Sequence, residues 1–243
     1  MRINGSVREL DSRTRCNKEE KTNMDIQLND TPDYFPELSR KVLDLVSRVR
    51  DALFSLDATL CHRLMAECSA LHHETRKAEG DCNANLLIGL TDADCRLHLV
   101  RCAQRCSRLG RIVHQAQQIV QNVQDIAGQV DVEDITAFKP IYLMAEVELK
   151  DAVLSILRED EQLAYGVQKK DEELDQLYAA EMERIFHHTS SAMFYNFQTG
   201  TALLFILRSI ERIGDHAKQL AIPSFYLLTN GGMEAPRNKK CAI

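Results

Sequence analysis

Ser209-Ile210-Glu211-Arg212-Ile213-Gly214-Asp215-His216-Ala217 follows the apolar run Ala202-Leu203-Leu204-Phe205-Ile206-Leu207 with no breaker between the two. Together they read as one helix. Glu211 and Asp215 stand at i and i+4, so both carboxylates leave the same face one turn apart. Two like charges at that spacing destabilise a bare helix by roughly 0.2–0.5 kcal/mol, and a cation between them reverses the sign. Gly214 costs up to about 1 kcal/mol in a helix interior, and its missing side chain lets another backbone approach. Two acids and a bare position on one face describe a site better than a packing solution.

Working outward, the rest of the chain is also helical in pattern. Leu38, Val42, Leu45, Val46, Val49, Leu53, Leu56 and Leu60 recur at steps of three and four after Pro36, which suits a first helical turn. Asp57 marks the boundary to a second helix over about 59–79, and Gly80-Asp81-Cys82-Asn83 reads as a kink or break. Thr91-Asp92-Ala93-Asp94 resembles a capping box with Asp in place of Glu. It opens a third helix that stops near Gly128. Residues 130–140 form a linker closed by Pro140. A fourth helix covers about 141–158, a fifth about 161–189, and a sixth carries the opening motif to about residue 228, with Pro223 expected to kink it or end it early. Residues 1–34 show no period and read as a flexible leader, and 231–243 as a flexible tail.

The bulk numbers agree. The chain has 243 residues, 6% aromatics, no Trp, five Pro and ten Gly, a composition that favours helix over strand. A net charge of -6 argues against nucleic acid as a partner. The eight Cys fall mostly within helical patterns, and the N-terminus lacks an apolar signal core. A reducing, cytoplasmic location is therefore expected, with structural disulfides absent. No apolar run approaches the ~18 residues of a membrane span.

Six helices about a central linker suggest a duplication: 35–129 as the first three-helix repeat and 141–230 as the second. Ser107-Arg108-Leu109-Gly110-Arg111 in the third helix matches the opening motif in its Arg and Gly and in the aliphatic residue between them, but not in its acids. Asp171 and Asp175 form another i, i+4 pair on the fifth helix, with Leu174 and Leu177 beside them. If the last two helices pack antiparallel, four carboxylates converge, as in bundles that build metal sites from facing helices. All-oxygen ligation suits iron, manganese, magnesium or calcium. His216 lies about 100° from Asp215 and should point off that face. The plain alternative is a solvated acidic face, since Glu161, Glu172, Glu173, Glu181 and Glu183 make this helix acidic throughout.

Ser-Ile-Glu-Arg-Ile-Gly-Asp-His resembles the signature of the PhoU family of phosphate-uptake regulators that accompany the Pst transporter. The resemblance implies an all-α fold of two three-helix repeats forming an elongated six-helix bundle. It also implies metal at Asp171, Asp175, Glu211 and Asp215, with iron, manganese or magnesium as the candidate ions. It implies no catalysis. The implied role is negative regulation of phosphate uptake and of phosphate-starvation signalling, through contact with the transporter ATPase and a membrane sensor kinase, by a homodimer.

The first repeat departs from that pattern. Its corresponding positions are Cys68, His72, Ser107 and Arg111, so no carboxylate metal site is expected there, and Asp94-Cys95-Arg96 keeps the register. Cys68 with His72, and Cys102 with Cys106, are i, i+4 pairs that together offer a soft-metal site. Thiols packing as small apolar residues is the plainer expectation. His72-His73-Glu74 and His187-His188 are adjacent pairs that diverge by about 100° and cannot chelate as pairs. Two other roles remain open: accessory protein of a different phosphate permease, and a di-metal carboxylate enzyme. Against the enzyme, the Glu-x-x-His pairs of such sites are missing around these acids.

Overall fold

The computed structural model describes residues 32–88, 92–130, 132–190 and 197–229, with side chains left aside at 133, 188–190 and 223–229. Among these residues lie seven helices and no strand: α1 (Phe35–Ser55), α2 (Ala58–Leu87), α3 (Ala93–Ile126), α4 (Val132–Thr136), α5 (Lys139–Arg158), α6 (Glu161–Ser190) and α7 (Phe197–Thr229). α1, α2 and α3 pack on one another, as do α5, α6 and α7. The two groups join through α3 against α7 and α1 against α5, so one continuous core runs through both. This is the all-α bundle of two three-helix repeats that the sequence pattern implies.

The duplication is written into the local backbone. α1 and α5 each begin at an aromatic residue, Tyr34 and Phe138, with Pro in the first turn and no side-chain cap. Each ends on a non-glycine residue in the left-handed region, Leu56 at φ 50° and Glu159 at φ 53°. An aspartate then starts the next helix in each repeat. Asp57 accepts from the amides of Thr59 and Leu60, and Asp160 from those of Gln162 and Leu163. These bonds satisfy amides that a helix start leaves open. Aligning the two caps sets Cys68 against Asp171, His72 against Asp175, and Leu45 against Glu148. Across the repeats, buried Tyr142 of α5 donates its hydroxyl to the Val46 carbonyl of α1 at 2.8 Å, with Phe54 edge-on to its ring.

Several expectations are corrected. α2 does not break at Gly80 but runs to Leu87, because Ala78 and Cys82 on either side of it are buried. That packing outweighs the roughly 1 kcal/mol helix cost of glycine. The cap of α3 is Asp92, whose carboxylate accepts from Asp94 and Cys95 amides; Thr91 lies outside the described residues. The linker 130–140 holds α4, anchored by buried Ile135 and Phe138, and the first turn of α5, which starts at Lys139 rather than about 141. α7 runs to Thr229, close to the expected end at about 228, and Pro223 does not end it early, since a proline removes one backbone donor without having to end the helix. Of the leader, only 32–34 fall among the described residues, where the Asp33 carboxylate accepts from the Phe35 amide. Residues 1–31 and the tail 231–243 lie outside them.

Candidate metal centre

The four acids expected from the sequence sit where α6 meets α7, two on each helix. Asp171 is 3% exposed, which removes the solvated-face alternative for that residue. Asp175 is exposed at the rim, and Glu211 and Asp215 are half-buried between them. Leu174 is buried and Leu177 partly so, as their position beside the aspartates requires.

The acids feel one another. Burial, then Asp215 and Asp175, push the Glu211 carboxyl up to about 7. Burial, then Asp171 and Asp215, raise Asp175 as well. Each shift marks charge that water no longer screens well.

Two members of the cluster were missed in the sequence. Glu148 of α5 is 0% exposed, and neither carboxylate oxygen has a hydrogen-bond partner. Burial first, then the negative charge of Asp171, push it up to about 8. Its signal was available: Glu148 falls on the stripe of Tyr142, Ala145, Leu149 and Ala152, an acid on a core face. Lys218, the other, lies three residues beyond Asp215 on α7, and its ammonium pairs with Asp171 Oδ2.

Gly214 explains how Glu148 fits. A Cβ at that position would stand 2.8 Å from Glu148 Oε2 and would overlap Leu174 Cδ2. The bare position therefore admits a carboxylate and a leucine side chain, rather than the neighbouring backbone expected from the sequence.

As the side chains stand, no group of three or more His, Cys, Asp or Glu among the described residues is arranged to hold a metal ion. The ammonium of Lys218 is the cation seated on Asp171. The donor set nevertheless fits a hard divalent ion. It is all oxygen, drawn from facing helices, and includes the orphaned oxygens of Glu148. If all ionise, five carboxylates against one ammonium leave four formal negative charges, which two divalent ions would match. His216 points elsewhere, as its position on the helical wheel predicts. It is held by Gln219 beside Arg108 and Arg111 of α3, and burial lowers its basicity.

Among its described residues the first repeat has no similar cluster of acids. Cys68 is a buried thiol pushed up to about 12 by burial, and Arg111 is exposed on α3. The proposed pairing of Cys68 and His72 with Cys102 and Cys106 is not made. Cys102 instead lies beside Cys106 and Cys82 and donates its thiol to Asp33 Oδ1, while His72 lies against His114. Thiol donation from its neighbours draws Cys102 down to about 6; burial and the Cys102 charge push Cys82 up to about 12. His73 and His187 are exposed, as surface residence requires.

The family model for the PhoU domain matches residues 141–222, covering α5, α6 and most of α7. A phosphate-specific transport system accessory protein PhoU homolog from Xylella fastidiosa is 34% identical over 96 residues, 38% of each chain. A homolog of the same name from Caulobacter vibrioides is 34% identical over 99 residues, 40% of this chain and 41% of its own. The chain thus spans about two-fifths of the length of the curated relatives it matches. The crystal structure of the phosphate transport system regulatory protein PhoU from Streptococcus pneumoniae has a TM-score of 0.72 at 23% identity, covering 85% of this chain and 97% of that one. PhoU from Pseudomonas aeruginosa gives 0.71 at 20%, covering 84% and 97%. At those identities the two structures speak for the fold alone, and they extend it over both repeats. Among the described residues no helix is long and apolar enough to cross a membrane. Residues 141–222 thus carry a PhoU domain, and the whole described bundle shares the fold of solved PhoU proteins.

Proposed function

We propose that the protein is an accessory regulator of phosphate transport that restrains phosphate uptake and the phosphate-starvation response when phosphate is plentiful. The observation that carries this reading is the PhoU domain over 141–222, together with relatives named as phosphate-specific transport system accessory proteins. The proposed partners are the ATPase of a phosphate transporter and a membrane sensor kinase, met in the cytoplasm by a homodimer. The mode of action is contact, not turnover.

The contact depends on a metal held by Asp171, Asp175, Glu211 and Asp215. When bound, the ion supplies a charge clamp between α6 and α7 and open coordination positions toward the surface. The chain's own residues prepare for it. Asp171 offers a carboxylate fixed in the interior, Asp175 faces the rim, and Gly214 clears the space that Glu148 enters. Iron, manganese and magnesium all suit such oxygen donors.

The test is a deletion strain grown in high phosphate. Loss of the protein should raise phosphate uptake and switch on the starvation response. The wild-type gene should reverse this, and a Glu211→Ala, Asp215→Ala variant should not. A deletion that leaves uptake and the response unchanged would overturn the regulatory reading. Iron-dependent oxygen consumption by the purified protein would favour the di-metal enzyme instead.

A further inference from the structure

We infer that Lys218 is a tethered cation that competes with divalent metal ions for Asp171, so that loading the site is an exchange of one cation for another. The inference rests on the metal reading above and adds how this chain sets the affinity of that site.

Three observations carry it. Lys218 stands at i+3 from Asp215 and i+7 from Glu211, on the helix face that carries the acids, and its ammonium pairs with Asp171 Oδ2. The pair is unequal in burial: the Asp171 side chain is 4% exposed and that of Lys218 35%. The carboxylate is thus fixed in the interior, while the lysine reaches in on a flexible stem and can swing out to water. The same ammonium also acts on Asp175, Asp215 and Glu148, so with Asp171 it partly neutralises four of the five acids.

An ion arriving at Asp171 meets an oxygen already engaged and a positive charge beside it. It gains the site only by displacing the ammonium, and the energy of the Lys218–Asp171 pair is subtracted from its binding. In return, the metal-free protein keeps its buried aspartate paired and stays folded. The register of the first repeat supports a link between this lysine and the buried acid. Buried Cys68 stands where Asp171 does, and exposed His114 stands where Lys218 does. That half has no buried carboxylate at the position to hold.

The experiment is calorimetric titration of the full chain with Mn²⁺ at fixed pH and salt, for wild type, Lys218→Met and Lys218→Arg. A charge-assisted hydrogen bond of typical strength corresponds to about tenfold in affinity or more. Lys218→Met should therefore bind Mn²⁺ about tenfold tighter than wild type or better. Lys218→Arg, whose planar fork grips a carboxylate at two points, should bind more weakly than wild type. Circular dichroism checks that each variant folds, and Lys218→Gln replaces Lys218→Met if that variant does not. Equal affinities across the series, or tightest binding by wild type, would overturn the inference. If such equal binding is abolished by Glu211→Ala, Asp215→Ala, the metal reading survives without it. If no variant binds Mn²⁺, both fall.

Discussion

Replacing Glu148 by Gln should stabilise the metal-free protein at alkaline pH and leave it nearly unchanged at pH 5. Glu148 is fully buried with neither oxygen partnered, and its carboxyl is pushed from 4.5 up to about 8, chiefly by burial. Between those values the folded state holds a proton that the unfolded state has lost. Stability therefore falls as pH rises, because unfolding releases a bound proton. The span is about 3.5 pH units, from 4.5 to about 8. At about 1.36 kcal/mol per unit, the ceiling is about 5 kcal/mol by pH 9. That is a large share of the 5–15 kcal/mol that holds a typical protein together. Protonated Glu and Gln are both neutral and nearly the same shape, so at pH 5 the two proteins should agree within about 1 kcal/mol. The assay is urea unfolding with a chelator present, at pH 5 and pH 9. Glu148→Gln should be several kcal/mol more stable than wild type at the higher pH only. A variant no more stable than wild type at pH 9, or a difference independent of pH, would refute the reasoning.

Three glycines give a graded set of alanine substitutions, read by thermal unfolding. At Gly80 a Cβ meets nothing, so Gly80→Ala should stabilise α2 by up to about 1 kcal/mol. At Gly110 it would lie 2.9 Å from Thr75 Oγ1, a buried hydroxyl that donates to the His72 carbonyl, so Gly110→Ala should cost about 1 kcal/mol or more. At Gly214 it would overlap Leu174 and crowd Glu148, so Gly214→Ala should cost about 1–3 kcal/mol. Glu159→Gly should raise stability by up to about 1 kcal/mol, because Glu159 is exposed at φ 53° and glycine adopts that region freely. Leu56→Gly should gain less, since Leu56 also packs against the core. Tyr142→Phe should cost about 0.5–1.5 kcal/mol through loss of the bond to the Val46 carbonyl, measured by urea unfolding.

The helices were legible because their signals are local. Asp57 and the two prolines near the starts of α1 and α5 act within a turn or two, and the structure uses each as the spacing predicts. The break expected at Gly80 failed because local propensity cannot count the burial of Ala78 and Cys82. With α2 continuous, Cys82 comes to face Cys102, and the cysteines of α2 and α3 are buried as the plainer expectation of apolar packing has it. At the candidate metal site, the four acids could be found because each pair shares one helix face. Glu148 and Lys218 join them only through the packing of α5 against α6 and α7, which periodicity within one helix does not report. Glu148 also breaks the rule that core faces are apolar, and such breaks mark sites more often than packing.

Anomalous diffraction from crystals of the full chain grown with Mn²⁺ would locate the ion directly. A peak is predicted between α6 and α7, within bonding distance of oxygens from Asp171, Asp175, Glu211 and Asp215, with the Lys218 ammonium displaced. No peak between those helices at saturating Mn²⁺, or a peak only in the first repeat, would contradict the account.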